Sequence, residues 1–135
     1  NDGMDMALIT FEPDMKELTY AGANNPLYLI RDNELTVIQA DRKSVGYNHK
    51  GFESFKNNKL KLKKNDLLYI SSDGYADQFG GEKNKKYLYS RYKSLLLSLS
   101  PYTMKEQEEM LINEFNSWKG DNEQLDDVCV IGIRV

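Results

Sequence analysis

Short apolar runs alternate with polar breaks along most of the chain, a rhythm that predicts strands before helices. Met6 to Phe11 (MALITF) reads as the first strand, and Glu12-Pro13-Asp14 ends it with turn chemistry. Leu18 to Ala21 (LTYA) is the expected hairpin partner. The polar "GANNP" breaks the chain, Leu27 to Ile30 (LYLI) resumes it, and Asp32-Asn33 turns it tightly into Leu35 to Ile38 (LTVI). These runs predict a four-stranded meander. Phe52 to Leu62 alternates loosely, as a half-buried strand would. Leu67 to Ser71 is a continuous apolar run, which predicts a central strand buried on both faces.

The period changes after the loop "DGYADQFGGEKNKK". Leu88, Tyr92, Leu95, Leu96 and Leu99 recur at helical intervals, and Pro101 stops that helix. Thr103 with Glu106 three residues on is a capping box for a second helix. Met104, Leu111, Phe115 and Trp118 form its apolar stripe and Gly120 ends it. Aromatic and Met residues at that spacing predict core packing. Val128 to Val135 is a final strand. Strands, then two helices, then a strand predict an α+β fold with mainly antiparallel pairing and the helices gathered on one face. No internal repeat or domain linker interrupts the pattern.

Composition narrows the class. With 135 residues, 40% hydrophobic and 29% charged, the chain is expected to form one soluble globular domain. A formal charge of −3 argues against a general nucleic-acid binder. The lysines around Lys56–Lys64 and Lys83–Lys86, with Lys50, read as a solvated surface. No apolar segment is long enough to cross a membrane. The opening "NDGMDMALITF" has neither the basic start nor the cleavage pattern of a secretory signal. The lone Cys129, in "VCVIGIRV", is expected to be a small core residue, which suits a reducing, cytoplasmic setting. Without an initiator methionine and with strand pattern beginning at once, the chain is expected to be the interior of a longer protein.

The candidate chemistry is acidic. Asp73 ends the apolar run in "ISSDG", and Asp126 and Asp127 immediately precede "VCVIGIRV". If those two strands are neighbours, Asp73 and Asp126 meet at one end of the pair. Carboxylates so placed can hold a hard cation such as Mg²⁺ or Mn²⁺, act as an acid/base pair, or simply cap and turn the chain. His49 reads as a surface residue of a polar loop. "QFGGEK" lacks the lysine-hydroxyl pair of a phosphate-binding loop.

The segments "ELTYAGANNPLYLIRDNEL", "KSVGY", "LKKNDLLYISSDGYADQFGG" and "QLDDVCVIGIRV" stand in an order that resembles the bacterial SpoIIE/RsbU-type serine/threonine phosphatases, a protein phosphatase 2C-like, metal-dependent (PPM) family. The resemblance covers nearly all of residues 1–135 and implies the C-terminal part of one such domain, its upstream part absent. It implies an α-β-β-α sandwich, here incomplete, with a two-metal Mn²⁺ or Mg²⁺ centre whose activated water hydrolyses phosphoserine or phosphothreonine. By motif, Asp73 and Asp126 correspond to metal ligands, Asp127 to a supporting residue, and Gly74 to a sharp backbone turn beside the metal. The family's first metal-binding segment, roughly Asp-x-x-Gly-His-Gly, has no counterpart here. Asp2 and Asp5 are acidic and near the right strand but do not match it. Three expectations follow: weak metal binding and little or no activity from this chain alone, self-association through exposed sheet edges, and a phosphorylated regulatory protein of the anti-sigma-factor-antagonist type as substrate, the parent being cytoplasmic or tethered to a membrane sensor. The alternative is a non-catalytic regulatory or binding module of the same fold.

Overall fold

A computed structural model describes residues 3–46 and 54–135. Strands β1 (Met6–Phe11), β2 (Glu17–Ala23) and β5 (Asn58–Lys61) form one antiparallel sheet in the order β1-β2-β5. Strands β3 (Leu27–Arg31), β4 (Glu34–Ile38), β6 (Leu67–Ser71) and β9 (Val130–Arg134) form a second, in the order β4-β3-β6-β9. Between β6 and β9 run a short helix α1 (Gly74–Asp77), a small hairpin β7 (Phe79–Gly80) and β8 (Lys85–Lys86), and the long helices α2 (Tyr89–Leu99) and α3 (Met104–Lys119). The expected α+β class is the one observed.

Alternation of side chains explains the layering. In β3, Leu27 and Leu29 point to one face and Tyr28 and Ile30 to the other, and all four are buried. The first pair meets Leu18, Tyr20 and Leu68 in a core between the two sheets. The second meets Leu67, Tyr69, Tyr92, Leu96, Leu99, Leu111 and Phe115 in a core between the four-stranded sheet and the helices. The result is three layers, sheet on sheet on helices, an α-β-β-α sandwich with one helical layer not represented. Leu8, on the uncovered face of β1, is 54% exposed.

The meander is corrected by this packing. The two hairpins form, but β2 and β3 lie in different sheets. Both strands carry an apolar inner face, and stacking the sheets buries Leu18 and Tyr20 against Leu27 and Leu29 where edge pairing would not. "GANNP" carries the crossing: Asn24 takes φ 59° and the Tyr20 hydroxyl donates to the Asn25 carbonyl at 2.6 Å. Asp32 and Asn33 both adopt positive φ, 51° and 61°, as a two-residue hairpin turn requires.

Three further expectations change. The fifth strand is shorter than 52–62. The Lys56 amide donates to the Asp41 carboxylate at 2.8 Å instead of to a neighbouring strand, and Phe52 lies outside the described residues. The segment 73–86 is not a plain loop but holds α1 and the β7–β8 hairpin. Leu88 is not in the stripe of α2; it precedes the helix with φ 75° and is 56% exposed. The capping box is as predicted: Glu106 N–H donates to Thr103 Oγ1 at 3.2 Å and Thr103 N–H to Glu106 Oε2 at 2.8 Å. Among the described residues no helix is long and apolar enough to cross a membrane.

Candidate metal centre

The predicted neighbours are neighbours: β6 and β9 pair antiparallel, with Ser71 opposite Val130. Ser72 carries the pairing beyond the strand end. Its amide donates to the Cys129 carbonyl at 3.0 Å, its hydroxyl donates to the Asp127 carbonyl at 2.8 Å, and the same hydroxyl accepts from the Cys129 amide at 3.0 Å. One serine therefore clamps the segment that carries Asp126 and Asp127 to the end of the strand that carries Asp73.

Gly74 begins α1 without a positive φ, and what its missing side chain provides here is space. A Cβ at Gly74 would lie 2.5 Å from the Asp127 carbonyl oxygen and 3.2 Å from Val128 Cγ2. Only a residue lacking Cβ lets the two backbones come this close.

Asp73 is half-buried at the N-cap of α1 yet makes no side-chain cap bond. Burial raises its pKa above the ordinary carboxylate value, and the charges of Asp126, Asp77 and Asp5 raise it further. Of these, Asp77 is paired with Lys86 at 3.0 Å on the surface. Asp126 is exposed and accepts the Asp127 amide at 2.7 Å; Asp127 is exposed beside it. Asp73 and Asp126 have no cationic partner among the described residues. Hard oxygen donors that repel one another at the rigid end of a strand pair suit a divalent cation. Among the described residues, no three acidic, His or Cys side chains are grouped to hold a metal ion.

Asp5 is the residue that sequence reasoning undervalued. Its carboxylate accepts from Asn24 Nδ2 at 2.8 Å and from the Ser44 hydroxyl at 2.5 Å, and these bonds, Ser44's foremost, hold its pKa below the ordinary value. The Met4–Val45 bridge brings this segment to residues 44 and 45, a contact no local pattern announces. Asp2 and His49 lie outside the described residues.

Cys129 is a second correction: it is a free, exposed thiol. On the face of the β9 segment it shares with Ile131, Ile133 and Val135, the latter two reach the inter-sheet core while Ile131 is 48% exposed. The three-stranded sheet does not cover that end, so the thiol meets solvent.

The family described as Stage II sporulation protein E (SpoIIE) matches residues 2–135 of the chain. Among solved structures, the SiaA-PP2C domain of Pseudomonas aeruginosa is 25% identical, with a TM-score of 0.87 over 97% of this chain and 51% of that one. The phosphatase domain of the cell fate determinant SpoIIE from Bacillus subtilis is 18% identical, with a TM-score of 0.69 over 96% of this chain and 57% of that one. The catalytic domain of the serine/threonine protein phosphatase PstP, solved with 2 manganese ions, is 18% identical, with a TM-score of 0.67 over 96% and 57%. The chain thus spans about half the length of the structures it matches. No curated protein matches it in sequence.

Proposed function

This chain belongs to the SpoIIE family, and from that premise we propose that it is the C-terminal part of a metal-dependent serine/threonine phosphatase domain of the protein phosphatase 2C type, acting in bacterial signalling in the cytoplasm. The observation that supports this reading is the nearness of Asp73 and Asp126 at the joined ends of β6 and β9, with no cationic partner among the described residues.

Asp73 and Asp126 would hold Mn²⁺ or Mg²⁺ through their carboxylate oxygens. When bound, such a metal pair supplies hydroxide at neutral pH and neutralises charge on the phosphoryl oxygens. The chain's own residues fix the donors. Ser72 sets the spacing between the two strand ends, Gly74 permits it, and Asp127 supports the turn through its carbonyl. The substrate we propose is a phosphorylated regulatory protein of the anti-sigma-factor-antagonist type.

The test is release of phosphate from a phosphoserine peptide, with and without Mn²⁺, by the native protein that carries this chain. Mn²⁺-dependent hydrolysis is the expected result. Its absence in a well-folded protein overturns the enzyme reading in favour of a binding module, the reading favoured by the lack of a third grouped ligand among the described residues. The isolated chain is expected to be inactive.

The sheet edges β1 and β9 present Leu8, at 54% exposure, and Ile131, at 48%. Unpaired edges with apolar side chains favour pairing between chains. We therefore expect the isolated chain to self-associate in sedimentation velocity as its concentration rises. A single monomeric species across the range would refute this.

A further inference from the structure

Beside the acidic cluster lies a cavity of about 300 Å³ whose walls include Asn24, Tyr28, Asp41, Arg42, Tyr89 and Lys93. Two observations tie it to the candidate metal centre. Asn24, in its wall, is the residue that donates to Asp5. Tyr89, also in its wall, is close enough to Asp73, Asp77 and Asp5 that, after burial, their charges raise its pKa. The cavity and the carboxylates are therefore adjacent, with Asn24 and Tyr89 neighbouring both.

The charge in the cavity is opposite to that of the cluster. Arg42 is exposed and Lys93 half-buried, and neither makes an ion pair among the described residues. The remaining charged wall, Asp41, already accepts the Lys56 amide at 2.8 Å. A half-buried lysine without an acidic partner keeps its full capacity for an incoming anion. The backbone that presents Tyr89 and Lys93 is strained: Leu88, immediately before α2, takes φ 75°, a conformation costly for a bulky residue. Its amide donates to the Ala76 carbonyl at 2.8 Å, two residues beyond Gly74, and this bond ties the start of α2 to the segment that follows Asp73.

We propose that this cavity receives an anionic group of the phosphorylated substrate, the phosphoryl group itself or an acidic side chain flanking it, and that Arg42 and Lys93 bind it. The assignment to a substrate rests on the phosphatase reading above. Arg42 and Lys93 supply the cationic donors.

The test is a metal-free amide-resonance titration of the chain with inorganic phosphate and, separately, with an unphosphorylated glutamate-rich peptide. The expected result is saturable shifts at Arg42, Tyr89 and Lys93, with affinity falling about tenfold in Arg42→Gln or Lys93→Gln, the loss of one charge-assisted bond. A response to phosphate alone identifies the phosphoryl group as ligand, and a response to the peptide alone identifies the flanking acid. Either supports the pocket. Shifts scattered elsewhere, or unchanged affinity in both folded variants, overturn it. A parallel Mn²⁺ titration of the native protein that carries this chain separates this inference from its premise. Mn²⁺ uptake near Asp73 with a silent cavity overturns the anion pocket and spares the phosphatase reading. Cavity binding without Mn²⁺ uptake keeps the pocket and removes its link to a phosphatase.

Discussion

Asp73→Asn is expected to abolish the weak Mn²⁺ binding anticipated of this chain while leaving the metal-free fold as stable as before, or slightly more so. Loss of a residue that merely orients a ligand already weakens metal binding 10–100-fold, so loss of a ligand should cost at least about 100-fold. The stability effect should have the opposite sign for a reason visible in the fold. An aspartate that only capped α1 would accept a backbone bond there, and Asp73 accepts none from the helix. Its charged form is instead opposed by burial and by Asp126, Asp77 and Asp5. A neutral asparagine of the same shape loses no cap bond and relieves that repulsion, a gain of up to about 1 kcal/mol. Thermal unfolding would move upward by a few degrees at most. Paramagnetic broadening by Mn²⁺ checks the first half: signals of residues 72–74 and 126–129 should broaden in the wild type and persist in the variant. Equal broadening in both, or a lower melting temperature of the metal-free variant, would show that Asp73 is a structural turn residue.

Asp66→Ala is expected to cost about 3 kcal/mol at neutral pH, the largest stability loss anticipated from any single carboxylate here. The Asp66 side chain is 1% exposed and takes both Arg31 bonds, from Nε at 2.8 Å and from Nη2 at 2.6 Å, together with the Lys63 amide at 2.8 Å. Arg31 also reaches the Lys61 carbonyl at 2.9 Å, and the Asp66 carbonyl accepts the Val135 amide at 2.9 Å. The carboxylate thus joins β3 to the turn before β6, while the backbone carbonyl of the same residue holds the chain just past β9, a bond that Asp66→Ala keeps. Burial pushes its pKa up, but the Arg31 bonds, the Lys63 amide and the Arg31 charge outweigh it and hold the pKa below the ordinary value. A pKa lower in the folded state means stability that is complete above the unfolded value, near 4, and lost as pH falls through the folded one. The gap between wild type and Asp66→Ala in urea unfolding should therefore be widest at neutral pH and narrow under acid. A gap that is independent of pH would mean that packing, not charge, sets the cost.

Much of this arrangement was legible in the sequence because it depends on local period. The continuous LLYI run does lie in the middle of its sheet, the Thr103–Glu106 box does cap α3, and the Asp-Asn turn has the backbone its residues suggested. What could not be read was placement in space. "GANNP" announces a break but not that the chain leaves one sheet for the other, which follows from faces needing cover on both sides of β3. Nothing in "ISSDG" marks Ser72 for a role of its own, and only the approach of residues 127–129 makes it the clamp. Asp5 lacked a ligand motif and gained its position from Asn24 and Ser44, both distant along the chain. Cys129 misled because an apolar strand was assumed to be covered along its whole length.

The same uncovered thiol opens a practical route. Cys129 is the chain's single cysteine and is exposed, while its backbone, not its side chain, meets Ser72. A maleimide-linked fluorophore or nitroxide can therefore be attached there without engineering, leaving the Ser72 clamp intact. It would place a spectroscopic reporter three residues from Asp126, at the strand end where the proposed cation site lies.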